Sequence, residues 1–224
     1  MKSHNQLLLL FAIVLFASCE KDEFQTTQLA SLRIVNAIVG GTTARLNSIT
    51  SNINNNSSNA FVVLTGRPDI YVYPVGDSLN PYFHANKTQQ VEANEAFSLF
   101  LSGIPGAIES LWVKDNYPVH SDSTFGVRFI NLTANSIPVN ITLATTSTIN
   151  EFENIGYQQL TEYKTFFANN ENQNLTFQVR SSADPNNILA SLPVSTSAPR
   201  FKNITLVFRG DMTGAVGLTR VNNY

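Results

Sequence analysis

Leu32-Arg33-Ile34-Val35-Asn36 returns as Val127-Arg128-Phe129-Ile130-Asn131, an offset of 95 positions from Arg33 to Arg128. A second match lies late in each copy. Phe97-Ser98-Leu99-Phe100-Leu101-Ser102-Gly103 pairs with Ile204-Thr205-Leu206-Val207-Phe208-Arg209-Gly210, now at an offset of 107 from Gly103 to Gly210. The same 107 aligns Ile70-Tyr71-Val72 with Phe177-Gln178-Val179, and Asp115-Asn116-Tyr117 with Asn222-Asn223-Tyr224. One offset held across three separate blocks points to an internal duplication rather than to alternation alone. The step from 95 to 107 puts twelve extra residues in the second copy, between its opening strand and Phe177.

Each copy reads as strands. Ser31 to Ala37, Ala60 to Thr65, Asp69 to Val75, Ala96 to Ser102 and Glu109 to Lys114 alternate or run apolar over short spans. Gly126 to Asn131, Val139 to Leu143, Leu175 to Arg180, Ile188 to Val194, Asn203 to Arg209 and Val216 to Val221 continue the series. Turns are marked by Gly40-Gly41, Gly76-Asp77, Pro105-Gly106, Asp184-Pro185 and Gly210-Asp211. Glu151 to Tyr163 is the best helical candidate, and a short one. Parallel strands need long crossovers, usually helical, so the expectation is all-β: two tandem antiparallel sandwiches. The inner faces are assigned to Ile34, Val72, Leu99, Leu101 and Leu111, and to Phe129, Val179, Leu206, Phe208 and Leu218. The domains expected are 29–118 and 125–224, joined by 119–124.

Ahead of them stands LLLLFAIVLFASCEKDE, Leu7 to Glu23. A basic start at Lys2, a ten-residue apolar block and small residues before a cut site form a secretory signal. The block is shorter than the roughly 17–25 residues of a membrane-spanning helix. Leu15-Phe16-Ala17-Ser18-Cys19 resembles the lipobox of bacterial lipoproteins, with Phe16 where Leu, Val or Ile is usual. That resemblance implies removal of residues 1–18, acylation of Cys19 and a linker over 19–28. Lys21, Asp22 and Glu23 resemble the export signal of Bacteroidetes surface lipoproteins, which implies the outer leaflet of the outer membrane, facing outward.

The opening R-[IF]-[VI]-N strand, the late apolar strand closing on Gly and the tandem copies behind this signal resemble the domain of unknown function 4397 family. The Asn-rich stretch Asn52 to Asn59 is where the first copy departs most from it. The resemblance implies an immunoglobulin-like or transthyretin-like sandwich, and it supplies no catalytic residues.

Composition narrows the chemistry. With 43% hydrophobic and 13% charged residues and a formal charge of −2, the chain has material for a core and no basic footprint for nucleic acid. Acylation would consume the single cysteine, leaving no thiol for a disulfide, a metal site or a nucleophile. His84 and His120 read as exposed loop histidines without a second ligand at metal spacing, and Asp184 and Asp211 as turn aspartates. No cofactor motif is present in the sequence. Glu92 with Glu95, and Glu151 with Glu153, are the carboxylate pairs a hydrolase would need, but both sit in polar stretches. A non-catalytic binding, adhesion or envelope module is therefore expected.

Aromatic side chains give the sharper expectation. Tyr71 and Tyr73 share the strand face opposite Ile70 and Val72. Trp112, Tyr82 and Phe83 could join them in a platform that stacks on sugar rings; the competing expectation buries these rings between the two sandwiches. A protein ligand is the other partner such a module would take. Asp77-Ser78-Leu79 and Asp122-Ser123-Thr124 resemble the Bacteroidetes O-glycosylation acceptor, at Ser78 and Ser123.

Overall fold

The repeated segments Leu32 to Asn36, Val127 to Asn131, Phe97 to Gly103 and Ile204 to Gly210 lie on strands largely buried on both faces. The computed structural model describes residues 27–121, 123–168, 174–195 and 200–223. The signal with Cys19, Lys21, Asp22 and Glu23 lies outside the described residues. The first copy contributes β1 (Leu29–Asn36), β2 (Ala44–Leu46), β3 (Asn52–Ile53), β4 (Ser57–Leu64), β5 (Tyr71–Pro74), β6 (Phe83–His84), β7 (Ala96–Ile104) and β8 (Ala107–Asp115). The second contributes β9 (Thr124–Asn131), β10 (Val139–Leu143), β11 (Thr146–Ile155), β12 (Lys164–Phe167), β13 (Asn174–Ser181), β14 (Ile188–Ser195), β15 (Asn203–Gly210) and β16 (Val216–Asn222). The protein is all-β, built as two sandwiches.

Each sandwich pairs two four-stranded sheets. The first combines the orders β4-β1-β7-β8 and β3-β2-β5-β6; the second repeats them as β12-β9-β15-β16 and β11-β10-β13-β14. Registers repeat too. Leu32 lies opposite Phe97, and Val127 opposite Ile204, so the offsets of 95 and 107 describe one ladder seen twice. These two ladders, β1–β7 and β9–β15, are parallel, which corrects the expectation of purely antiparallel pairing. The crossover is made through the facing sheet of the sandwich, so no helix is required.

Two further expectations are corrected. Glu151 to Tyr163 is not helical: it finishes β11 and then turns, with Asn154 and Gln158 at positive φ. The extra residues enter largely at this hairpin. Leu46 and Ile141 keep the offset of 95, whereas Ile53 and Ile155 stand 102 apart, so seven of the twelve fall between β10 and β11. At the other end, Ala96 pairs with Asp115 while Asn203 bonds Asn223, so the counterpart of Asp115 is Asn223 rather than Asn222. The β15–β16 hairpin holds one residue more than β7–β8.

Alternation along the repeated strands now has two destinations. Leu32, Ile34, Phe97, Leu99 and Leu101 point into the first core, and Val127, Phe129, Ile204, Leu206 and Phe208 into the second. The residues between them face the other sandwich. Val35, Ala37 and Phe100 meet Ile130, Leu132, Val207 and Val221 in a third cluster between the sheets. Burial on both faces explains why these strands read as near-continuous apolar runs. Leu111 belongs to this contact and not to the first core, which corrects the face expected for it; Leu218 does line the second core.

The polar positions of the motif are structural. Asn36 Nδ2 donates to Thr42 O at 2.9 Å and Ile53 O at 3.3 Å; Asn131 Nδ2 donates to Ser136 Oγ at 2.7 Å and Ile155 O at 3.2 Å. Both amides are fully buried and tie the central strand to the facing sheet. Replacing either strands a buried carbonyl, so Asn36→Ala and Asn131→Ala should each cost about 1–3 kcal/mol in urea unfolding. A loss near zero for both would deny this role.

Arg128 and Asp115 form a buried ion pair across the contact, Nη2 to Oδ1 at 2.7 Å. Tyr117 and Ser98 donate to Asp115 Oδ2, each at 2.7 Å. Burial, then the Asp115 carboxylate, push the Tyr117 phenol up to about 12. Ser102 with Tyr157, and Glu109 with Gln158, join the sandwiches at the hairpin end. Tyr117 with Asn223 joins them at the opposite end, so like ends lie together.

Candidate functional site

Three turns of the first copy converge at one end of its sandwich. The β1–β2 loop brings Gly40 and Thr42, the β5–β6 loop brings Asp77, Asn80 and Tyr82, and the β7–β8 hairpin brings Pro105 and Gly106. They converge because β1, β5 and β7 run the same way and end together. Between the loops lies an open cleft of about 750 Å³, whose lining also includes Pro74, Val75, Pro81 and Ile108. That volume is within the range of ligand sites, roughly 300–1,000 Å³.

The rim is held by hydrogen bonds. Tyr82 Oη accepts from Thr42 N at 3.1 Å, so the phenol ties two of the loops together. Asp77 accepts from the Asn80 side-chain amide at 2.9 Å and from the Leu79 and Asn80 N–H groups at 3.2 and 3.3 Å. The Asn80 amide first, then the two backbone donors, hold its carboxyl below the usual range, so it stays charged at neutral pH. Leu79 and Ile104 are exposed close by. The site thus offers apolar walls, a fixed carboxylate and short polar groups, a surface for binding rather than for proton transfer.

In the second copy the β9–β10 loop and the β15–β16 hairpin are bonded to each other. Ala134 bridges Asp211, and Asp211 accepts from Thr213 N at 2.8 Å and Asn135 Nδ2 at 3.1 Å. The Thr213 N–H, then Asn135, lower the Asp211 pKa. Asp211 and Asp184 both occupy turns, Asp184 Oδ1 accepting from Asn186 N at 3.1 Å.

Tyr71 and Tyr73 lie half-exposed on the outer face of the β3-β2-β5-β6 sheet, 5.8 Å apart between ring centres. They are away from the contact between sandwiches. His84, on β6 rather than in a loop, stands edge-on to Tyr71 at 4.9 Å and bonds Asp69 at 2.9 Å. Tyr71 Oη donates to Ser78 O at 2.5 Å, linking this row to the cleft loop. Arg45 sits opposite Tyr73 across the ladder. Trp112 does not join them. It packs on the inner side of the other sheet, 5.3 Å from Phe97 and stacked at 6.2 Å on Phe83. The β7–β8 register puts it opposite Leu99, a core residue, which is why the three-residue platform fails.

Glu95 is paired with Lys114 and Glu151 with Lys164, so each hydrolase candidate holds one neutralised carboxylate. Neither pair lines the cleft. Among the described residues, no group of three or more His, Cys, Asp or Glu is arranged to hold a metal. His120 bonds Asn203 at 2.9 Å. Ser78 is exposed in its loop, whereas Ser123 Oγ accepts from Arg200 at 3.1 Å; Asp122 of that triplet lies outside the described residues. Neither a protein-family model nor a curated protein matches the chain.

Proposed function

We propose that the chain is a surface-exposed outer-membrane lipoprotein, anchored through Cys19, whose two sandwiches form one non-catalytic binding module. The observation that carries this reading is polarity along the molecule. The chain enters β1 at one end of the stack, ten positions after Cys19, and the cleft opens at the other. An anchored protein built this way presents its cleft outward. The duplicated strand order supports the resemblance to the domain of unknown function 4397 family. The ligand is taken to be a protein segment with apolar side chains, matching Pro74, Val75, Pro81, Pro105 and Ile108 in the cleft lining.

Glycan capture is the second reading, favoured by the Tyr73–Tyr71–His84 row, because every sugar ring has an apolar face that aromatic rings can cover. Tyr71→Ala with Tyr73→Ala removes that row and leaves the cleft lining intact. Glycan-array binding lost in this variant selects the second reading; binding to protein extracts lost only with Tyr82→Ala and Ile108→Asp selects the first.

The anchor is tested in cells. Cys19→Ala should release the protein from membranes, and changing Lys21, Asp22 and Glu23 together to Ala should abolish its cleavage by protease added to intact cells. Unmodified protein that is shielded in intact cells and cut only after lysis would overturn surface display.

A further inference from the structure

The two ends of the stack differ in charge. At the cleft end, Asp77, Glu109 and Asp184 are exposed and Asp211 half-exposed, while Arg180 and Arg209 bond Thr142 and Thr219. At the opposite end, Arg67, Lys87, Arg200 and Lys202 are exposed on loops. Among the described residues there, Glu95 pairs with Lys114 and Asp115 with Arg128, while Asp69 is hydrogen-bonded to His84 and Glu92 is exposed, so the four exposed cations stand against two carboxylates.

Apolar side chains stand among these cations. Leu29, Val62, Leu64, Val119, Phe167 and Phe201 are exposed by 46% to 98%. Leu64 and Phe167 occupy the same ladder place in the two copies, opposite Leu29 and Thr124. Phe201 N–H donates to Thr124 O at 2.9 Å, which sets the second phenylalanine beside the first. Its backbone is at φ +62°, where the first copy has Asn94 at φ +61° making the same bond to Leu29. A bulky side chain is rare in that region, and strain of this kind gathers at functional sites. Arg200 lies over the Phe201 ring at 4.9 Å.

We propose that this basic, aromatic end lies on an acidic lipid surface and that the cleft therefore points away from it. The inference rests on the anchored reading above. Ten residues from Cys19 to Leu29 span at most about 35 Å extended and about 18 Å as a flexible chain, so the tether keeps this end near the bilayer. Phenylalanine and leucine enter the headgroup boundary while Arg and Lys meet lipid phosphates. The carboxylates of the far end are repelled by the same surface.

The test uses the chain from Cys19 onward, which keeps every described residue, with its single cysteine coupled to a maleimide lipid. Chemical coupling makes the result independent of whether cells acylate Cys19, which is read separately by metabolic acyl labelling. Vesicles of phosphatidylcholine with phosphatidylglycerol are compared with phosphatidylcholine alone, and hydroxyl-radical oxidation is read at each residue. On acidic vesicles, Phe167, Phe201 and Leu64 should oxidise about fivefold less than in the uncoupled chain, with Leu79 and Ile104 unchanged. Arg67, Lys87, Arg200 and Lys202 changed together to Gln should remove that protection, and these surface changes leave thermal unfolding in place. Equal oxidation of both ends on acidic vesicles, or protection unaltered in the charge variant, would overturn the proposal. Absent acyl labelling with protection intact would sink the anchor and leave the docking surface standing.

Discussion

Arg128→Ala should be the most damaging single change in the contact between the sandwiches, lowering stability by about 3–5 kcal/mol. The guanidinium is 4% exposed and its Asp115 partner fully buried. Arg128 also donates through Nε to Thr205 Oγ1 at 2.9 Å and lies over the Tyr163 ring at 4.8 Å. Removing it leaves a fully buried carboxylate with hydroxyl donors from Ser98 and Tyr117 but no counter-charge. Lys114–Glu95 and Lys164–Glu151 are exposed on the lysine side and should contribute under about 1 kcal/mol each. For a chain of this size the Arg128 loss corresponds to a fall in Tm of about 10 °C. The double variant Arg128→Met with Asp115→Leu should recover more than half of it, since both charges leave together. Calorimetry on the three proteins decides. A single variant within about 1 kcal/mol of the parent would mean that the pair is solvated and does not lock the sandwiches.

That lock was only half legible beforehand. The R-[IF]-[VI]-N repeat was visible, and Ile34 and Phe129 fell on the inner faces as expected, whereas Val35 and Ile130 face the other sandwich. The Arg and Asn positions could not be read, because their partners are Asp115 and the carbonyls of Ile53 and Ile155, all distant in sequence. Strands of two or three residues, β2, β3 and β6, hold too few side chains to show a period. β11 was missed for another reason: its first half is exposed on an edge, so no apolar face marks it. At the candidate site, Tyr71 and Tyr73 were correctly placed on one outer face because a single strand fixes their spacing. Trp112 depends on which sheet its strand joins, which alternation cannot tell. The cleft was legible only as separate turn signals. Gly40-Gly41, Gly76-Asp77 and Pro105-Gly106 each marked a turn, and only the parallel run of β1, β5 and β7 brings those turns together.

The glycine that closes each late strand supplies the second large effect. Gly103 has φ +85° and Gly210 φ +108°, a region that L side chains rarely adopt. Space is lacking as well. A Cβ at Gly103 would lie 2.3 Å from Ala107 O, and one at Gly210 2.2 Å from Ala215 O, both backbone atoms of the hairpin they begin. A side chain could swing aside; a carbonyl in a ladder cannot move without breaking the pairing of Gly103 with Ile108 or Gly210 with Val216. Gly103→Val and Gly210→Val should therefore each cost about 2–4 kcal/mol, combining backbone strain with the clash. Gly106 separates the two causes. It lies in the same first hairpin at φ +90°, with nothing within 4 Å of its would-be Cβ, so Gly106→Ala should cost only about 1 kcal/mol. Urea unfolding of the three variants reads the difference. Equal losses at Gly103 and Gly106 would show that backbone conformation alone sets the cost. A larger loss at Gly103 would tie the shape of the cleft rim, where Pro105 and Gly106 stand, to the glycine that ends β7 and its counterpart on β15.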